Sequence, residues 1–246
     1  MVLILCIGFV VATLSSVLGL LVAKNHDFFK PYLPFLVAIG GGLLIGITLL
    51  EFLPRIYSEP SALTSILVFV GFLLIKISEG YLAPIMFGKE ASTDCHHHHE
   101  APDHKHLISH HAACTSIGCI LICAFFDGIE ITAGFMLDQN IGILVAIGFM
   151  VHTIAESSLV VSIGLSGGFN KATSYKNAIL VGVAIFLGTL VSVFAIQLFN
   201  FDVYVLPLVT GVMLYVSFGH LVPASLKDRH GFLGVILGAS FIFLMH

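Results

Sequence analysis

The chain has 246 residues, 58% of them hydrophobic and 10% charged, with a mean hydropathy of +1.06. Soluble domains carry about 25% charged residues, so a water-soluble globular protein is excluded. A net charge of −4, with ten Lys and Arg that form no cluster, excludes a nucleic-acid binder.

A helix needs roughly 20 apolar residues to cross a bilayer, and eight stretches reach or approach that length. They are residues 2–23, 34–53, 62–87, 113–137, 141–165, 178–198, 203–222 and 232–246, the last being short. The first follows no basic residue and runs for some twenty residues, which predicts a span rather than a cleavable signal peptide. Strand-like alternation is almost absent. The expected fold is an all-α integral membrane protein, a single transmembrane domain over residues 1–246 with eight transmembrane helices.

The basic residues set an orientation. Lys24 and Lys30 follow span one, Lys89 and Lys105 span three, Lys171 and Lys176 span five, Lys227 and Arg229 span seven. Lys and Arg favour the cytoplasmic side, so alternate loops are predicted inside and both termini extracytoplasmic. The outer loops hold Arg55 with Glu59, Asp138 and Asp202, a mildly acidic mouth that ordinary solvated loops would also give.

Span two, from Gly42 to Pro54, aligns without gaps on span seven, from Gly211 to Pro223, placing Glu51 on His220. Under the predicted topology the two run in opposite directions. This pattern predicts inverted repeats arranged 3+2+3, with Glu51 and His220 as way-stations on a transport path.

Between spans three and four, residues 88–112 form the longest polar segment. It contains His96, His97, His98, His99, His104, His106, His110 and His111. Dense imidazole beside Asp94, Cys95, Glu100 and Asp103 is suited to weak metal binding on a cytoplasmic loop, with disorder expected in the absence of metal.

The chemistry is expected in spans four and five. Cys123 and Asp127 stand four residues apart in one, His152 and Glu156 in the other, so each pair shares a helical face. Opposed, they would present a thiol, an imidazole and two carboxylates to one point. That donor set suits Zn²⁺, Cd²⁺ or Fe²⁺ better than Mg²⁺ or Ca²⁺, which prefer oxygen alone. Ionisable groups at mid-membrane depth mark pathways and relays. Glu130 shares the Asp127 face as an outer-path ligand or a structural partner. The plainer reading for Cys119 is packing, and for Lys76 an ion pair with Glu79 one turn away. All five cysteines, Cys6, Cys95, Cys114, Cys119 and Cys123, are expected to be free thiols.

Together these features resemble the ZIP (Zrt/Irt-like protein) family of divalent-metal transporters, of which this chain would be a divergent member. The family's fourth-span pattern His-Asn-x-Pro-Glu/Asp-Gly is matched by Cys123-Ala124-Phe125-Phe126-Asp127-Gly128. Its fifth-span pattern His-x-x-Pro-Glu-Gly is matched by His152-Thr153-Ile154-Ala155-Glu156-Ser157. Both prolines are lost. Helix geometry there is expected from Gly128, Ser157 and Ser158, or the helices are straighter than the family's. Ala124 and Thr153 replace residues that build a second metal site in the family, so one central metal is expected.

The resemblance implies uptake of a divalent ion into the cytosol, with Zn²⁺ as substrate rather than cofactor and Cd²⁺, Fe²⁺ and Mn²⁺ as alternatives. It implies an elevator-like displacement of spans one, four, five and six against the rest. The partners expected are the lipid bilayer and the metal ions, with a second copy of the chain as a candidate, and the place is the plasma membrane or, in a eukaryote, an organelle membrane. No enzymatic activity is expected. The competing readings are a zinc-dependent intramembrane hydrolase, a membrane metal sensor and, on the weak Gly164-Leu165-Ser166-Gly167 motif, a serine protease.

Overall fold

The computed structural model describes residues 1–29, 32–58, 61–82, 85, 109–221, 223 and 229–245. Among these it is helical, without strands. We number the main helices α1 (Val2–Lys24), α2 (Leu33–Tyr57), α3 (Ala62–Leu82), α4 (His110–Leu137), α5 (Gln139–Ser166), α6 (Lys171–Leu198), α7 (201–221) and α8 (Arg229–Met245). Six of them, α1 to α6, are long and apolar enough to cross a membrane. Large apolar side chains such as Phe9, Phe69, Phe194 and Leu237 lie on the outside, as lipid contact requires. The chain is an all-α membrane protein.

Prolines divide the helices into two kinds. The backbone widens to π geometry over Thr48–Phe52 in α2, Ser78–Leu82 in α3, and Phe201–Val205 and Val216–Leu221 in α7. Each widened turn ends two residues before a proline in the sequence: Pro54, Pro84, Pro207 and Pro223. A proline inside a helix lacks an N–H, and its ring collides with the carbonyl four residues back. One surplus residue in the preceding turn relieves both problems. The Leu53 N–H then reaches the Thr48 carbonyl, and the Leu206 N–H that of Phe201, five residues back instead of four. Helices α4, α5 and α6 contain no proline, and each runs for 28 residues as regular α-helix.

Helices α1, α4, α5 and α6 pack on one another as a bundle. Outside it, α2 lies chiefly against α8 and also against α5, while α3 lies chiefly against α7. The two outer pairs are built alike. A Cβ added to Gly42 would collide with the Val235 carbonyl oxygen, and one on Gly238 with that of Ile39. In the α3–α7 pair, Gly211 stands in the same relation to Val68, and Gly71 to Leu208. The register that aligns Gly42 with Gly211 also carries Ile39 onto Leu208, and the spacing of Val68 and Gly71 is repeated in Val235 and Gly238. In lipid, where water exclusion gives helices little reason to associate, such close backbone approach supplies much of the attraction.

Helix ends are set by short polar side chains. The Ser109 hydroxyl accepts from the Ala112 N–H at 3.2 Å and starts α4. His110 and His111 are therefore helical, which corrects the expectation that the loop extends to residue 112. The other loop histidines, His96, His97, His98, His99, His104 and His106, lie outside the described residues. Asp138 alone separates α4 from α5, and its carboxylate caps α5 by accepting from the Asn140 N–H at 2.7 Å. Between α5 and α6, Gly168 adopts a φ of 83°, which an L side chain rarely takes, and Asn170 then caps α6 through the Thr173 N–H at 2.8 Å.

Candidate metal site

The one-residue linker at Asp138 makes α4 and α5 an antiparallel hairpin. Cys123 and Asp127 precede the turn by fifteen and eleven residues, and His152 and Glu156 follow it by fourteen and eighteen. At 1.5 Å per residue these positions lie roughly 17 to 27 Å from the turn. All four side chains are buried, Asp127 to 1% exposure. Because both helices are unbroken here, the four-residue spacing of each pair survives as one face per helix. Both helices continue as α-helix through the places where the resembling pattern has prolines, and Gly128 and Ser157 are part of them.

Electrostatics link the residues across the hairpin. The Asp127 carboxylate interacts with both Glu156 and His152, and Cys123 lies within the fields of Asp127 and Glu156. His152 Nε2 is 3.0 Å from Glu156 Oε1, a pair made within α5. Both oxygens of Asp127 and the second ring nitrogen of His152 are buried without a hydrogen-bond partner. Each such group costs about 1–3 kcal/mol if nothing satisfies it. Glu130, 1% exposed, is in the same position with both its oxygens and interacts with Asp127. The centre thus concentrates acceptor oxygens and negative potential that call for a cation or protons. Among the described residues, no group of three or more His, Cys, Asp or Glu side chains is gathered closely enough to hold one ion.

Two participants escape a reading of sequence alone. The Cys123 thiol donates to Glu79 Oε1 at 3.3 Å, and the Tyr215 hydroxyl donates to Glu79 Oε2 at 2.8 Å. Glu79 is buried in the π turn of α3, one turn from the exposed Lys76. The available signal was Tyr215 itself, since a phenol inside an apolar span must find an acceptor when buried.

The outlying candidates separate. Glu51 sits half-buried in the π turn of α2. His220 falls in the matching turn of α7, and its side chain lies outside what the structure describes. Cys119 is buried one turn before Cys123. Cys6, Cys114, Cys119 and Cys123 are free thiols, as expected; Cys95 lies outside the described residues. The His110 ring lies against that of Phe169, tilted by 54° with centroids 4.4 Å apart, and its Nδ1 lies 3.6 Å from the Cys114 sulfur, so it is engaged at the start of α4. The chain matches no protein-family model and no curated protein.

Proposed function

We propose that the chain is a ZIP-like uptake transporter that moves divalent metal ions, Zn²⁺ foremost, into the cytosol through one site on α4 and α5. The observation that carries this reading is the burial of Cys123, Asp127, His152 and Glu156 on facing helices in an apolar bundle, with Asp127 coupled to both His152 and Glu156 and its own oxygens unsatisfied. A cation would remove the mutual repulsion of the acids and draw the facing pairs together. Carboxylate ligands can also release it, because protonation lowers their affinity.

Three further observations support the transport frame. The reciprocal glycine contacts of α2 with α8 and of α7 with α3 agree with two inverted repeats around the α4–α5 hairpin. The bundle of α1, α4, α5 and α6 against two outer pairs is the division an elevator motion would use. The alternate placement of Lys and Arg fits eight spans with both termini outside.

The test is uptake of radioactive zinc into proteoliposomes. Asp127→Ala and Glu156→Ala are expected to abolish it while leaving the protein inserted and monodisperse. Uptake at the wild-type rate in both variants would sink the proposal, and competition by Cd²⁺, Fe²⁺ and Mn²⁺ would rank the substrates.

A further inference from the structure

We propose that Glu79 of α3 is a ligand of the transported ion, supplied to the α4–α5 site across the boundary between the bundle and the α3–α7 pair. This rests on the transport reading and adds to it a residue from a different body of the fold.

The geometry has two parts. Glu79 is 4% exposed, and its two oxygens are divided between partners on different helices: Cys123 Sγ of α4 at 3.3 Å and the Tyr215 hydroxyl of α7 at 2.8 Å. A tetrahedral zinc bound to thiolate at 2.3 Å and to carboxylate at about 2.1 Å sets those two atoms about 3.6 Å apart. The Cys123–Glu79 separation is within a few tenths of an ångström of that value. The same holds for His152 Nε2 and Glu156 Oε1, at 3.0 Å where two ligands of one zinc would stand about 3.4 Å apart. In each pair the two donor atoms already stand at nearly the separation that a shared metal would set. Binding replaces the Cys123 thiol proton, which leaves to solvent, and the sulfur and Glu79 Oε1 then share the ion.

Tyr215 is the positioning residue. Its bond to Oε2 leaves Oε1 aimed at the bundle, the way outer hydrogen bonds orient metal ligands elsewhere. Lys76, one turn earlier on α3, is exposed. The other four ligands belong to one hairpin, whereas Glu79 belongs to its surroundings. Any displacement of the hairpin past α3 must therefore release Glu79 from the ion, making it a ligand in one conformation only.

The experiment uses the full chain in lipid nanodiscs, with a Zn²⁺ binding isotherm and zinc protection of Cys123 from alkylation, read by mass spectrometry at that residue. Glu79→Gln retains an oxygen for the Cys123 thiol and an amide for Tyr215, so a purely structural role survives it and a ligand role does not. We expect E79Q to weaken binding about tenfold or more and to need correspondingly more zinc for protection, with Y215F showing a smaller loss in the same direction. His152→Ala and Asp127→Ala are measured alongside. Impaired binding in those two with E79Q within twofold of wild type would overturn the role of Glu79 and leave the central site standing. Full binding in all three would overturn both. Should E79Q not insert, Y215F decides: wild-type binding and protection in Y215F count against the proposal.

Discussion

The α4–α5 hairpin and the outer helices α2, α3 and α7 solve opposite problems. The hairpin holds three of the four buried acids among the described residues, yet its backbone is regular from end to end. The outer helices hold few buried charges but contain every π turn among the described residues, each ahead of a proline. Where the buried four-residue pairs stand, the α-helical turn is left undisturbed, and irregularity is placed in the surroundings. Glu79, on one of those π turns, joins the two regions by accepting from the Cys123 thiol.

The comparison is broken most directly by putting a proline into the hairpin. Phe126→Pro would remove an N–H beside Asp127 and drive the ring toward the Ile122 carbonyl, at a cost of about 3 kcal/mol or more unless the turn widens. A widened turn would rotate Asp127 off its face, so we expect zinc uptake in proteoliposomes to be lost and thermal unfolding to begin at lower temperature. Wild-type uptake would show that the unbroken helix does not set the site.

A smaller effect tests the likeness of the outer pairs. Gly42→Ala and Gly211→Ala each drive a methyl group into a neighbouring carbonyl, and overpacking of this kind costs about 1–3 kcal/mol. Thermal unfolding in detergent should fall by similar amounts in the two variants. A large difference between them would mean that the pairs are not equivalent. The smallest effect is expected from the histidine loop. Deleting residues 88–106 leaves the Ser109 cap in place, so uptake should persist with altered apparent affinity. Extending the deletion through 111 removes the cap and about 1 kcal/mol of helix stability with it.

The helical fold and the burial of the four central residues were legible because each depends on local pattern: apolar length for the spans, four-residue spacing for the shared faces. The π turns were written in the prolines but need a rule about the carbonyl four residues back, which hydropathy does not contain. Glu79 was hidden for a different reason. Its sequence neighbour Lys76 offered a local partner one turn away, and only the packing of α3 against α4 and α7 brings Cys123 and Tyr215 to its carboxylate from 44 and 136 residues away. The start of α4 at His110 was readable from Ser109 as a cap, a signal outweighed by the run of histidines around it.

The linker at Asp138 has a mechanical consequence. A single residue spans at most about 3.6 Å, so the near ends of α4 and α5 cannot part. Along their lengths α4 also packs on α6, and α5 on α1. At roughly 20 Å from such a hinge, a splay of about 10° would move one helix by about 3.5 Å, more than a metal–ligand bond length. A hairpin pinned at its tip and braced on both sides has the mechanics of a clasp, and under the proposed transport an ion held by it would travel with it.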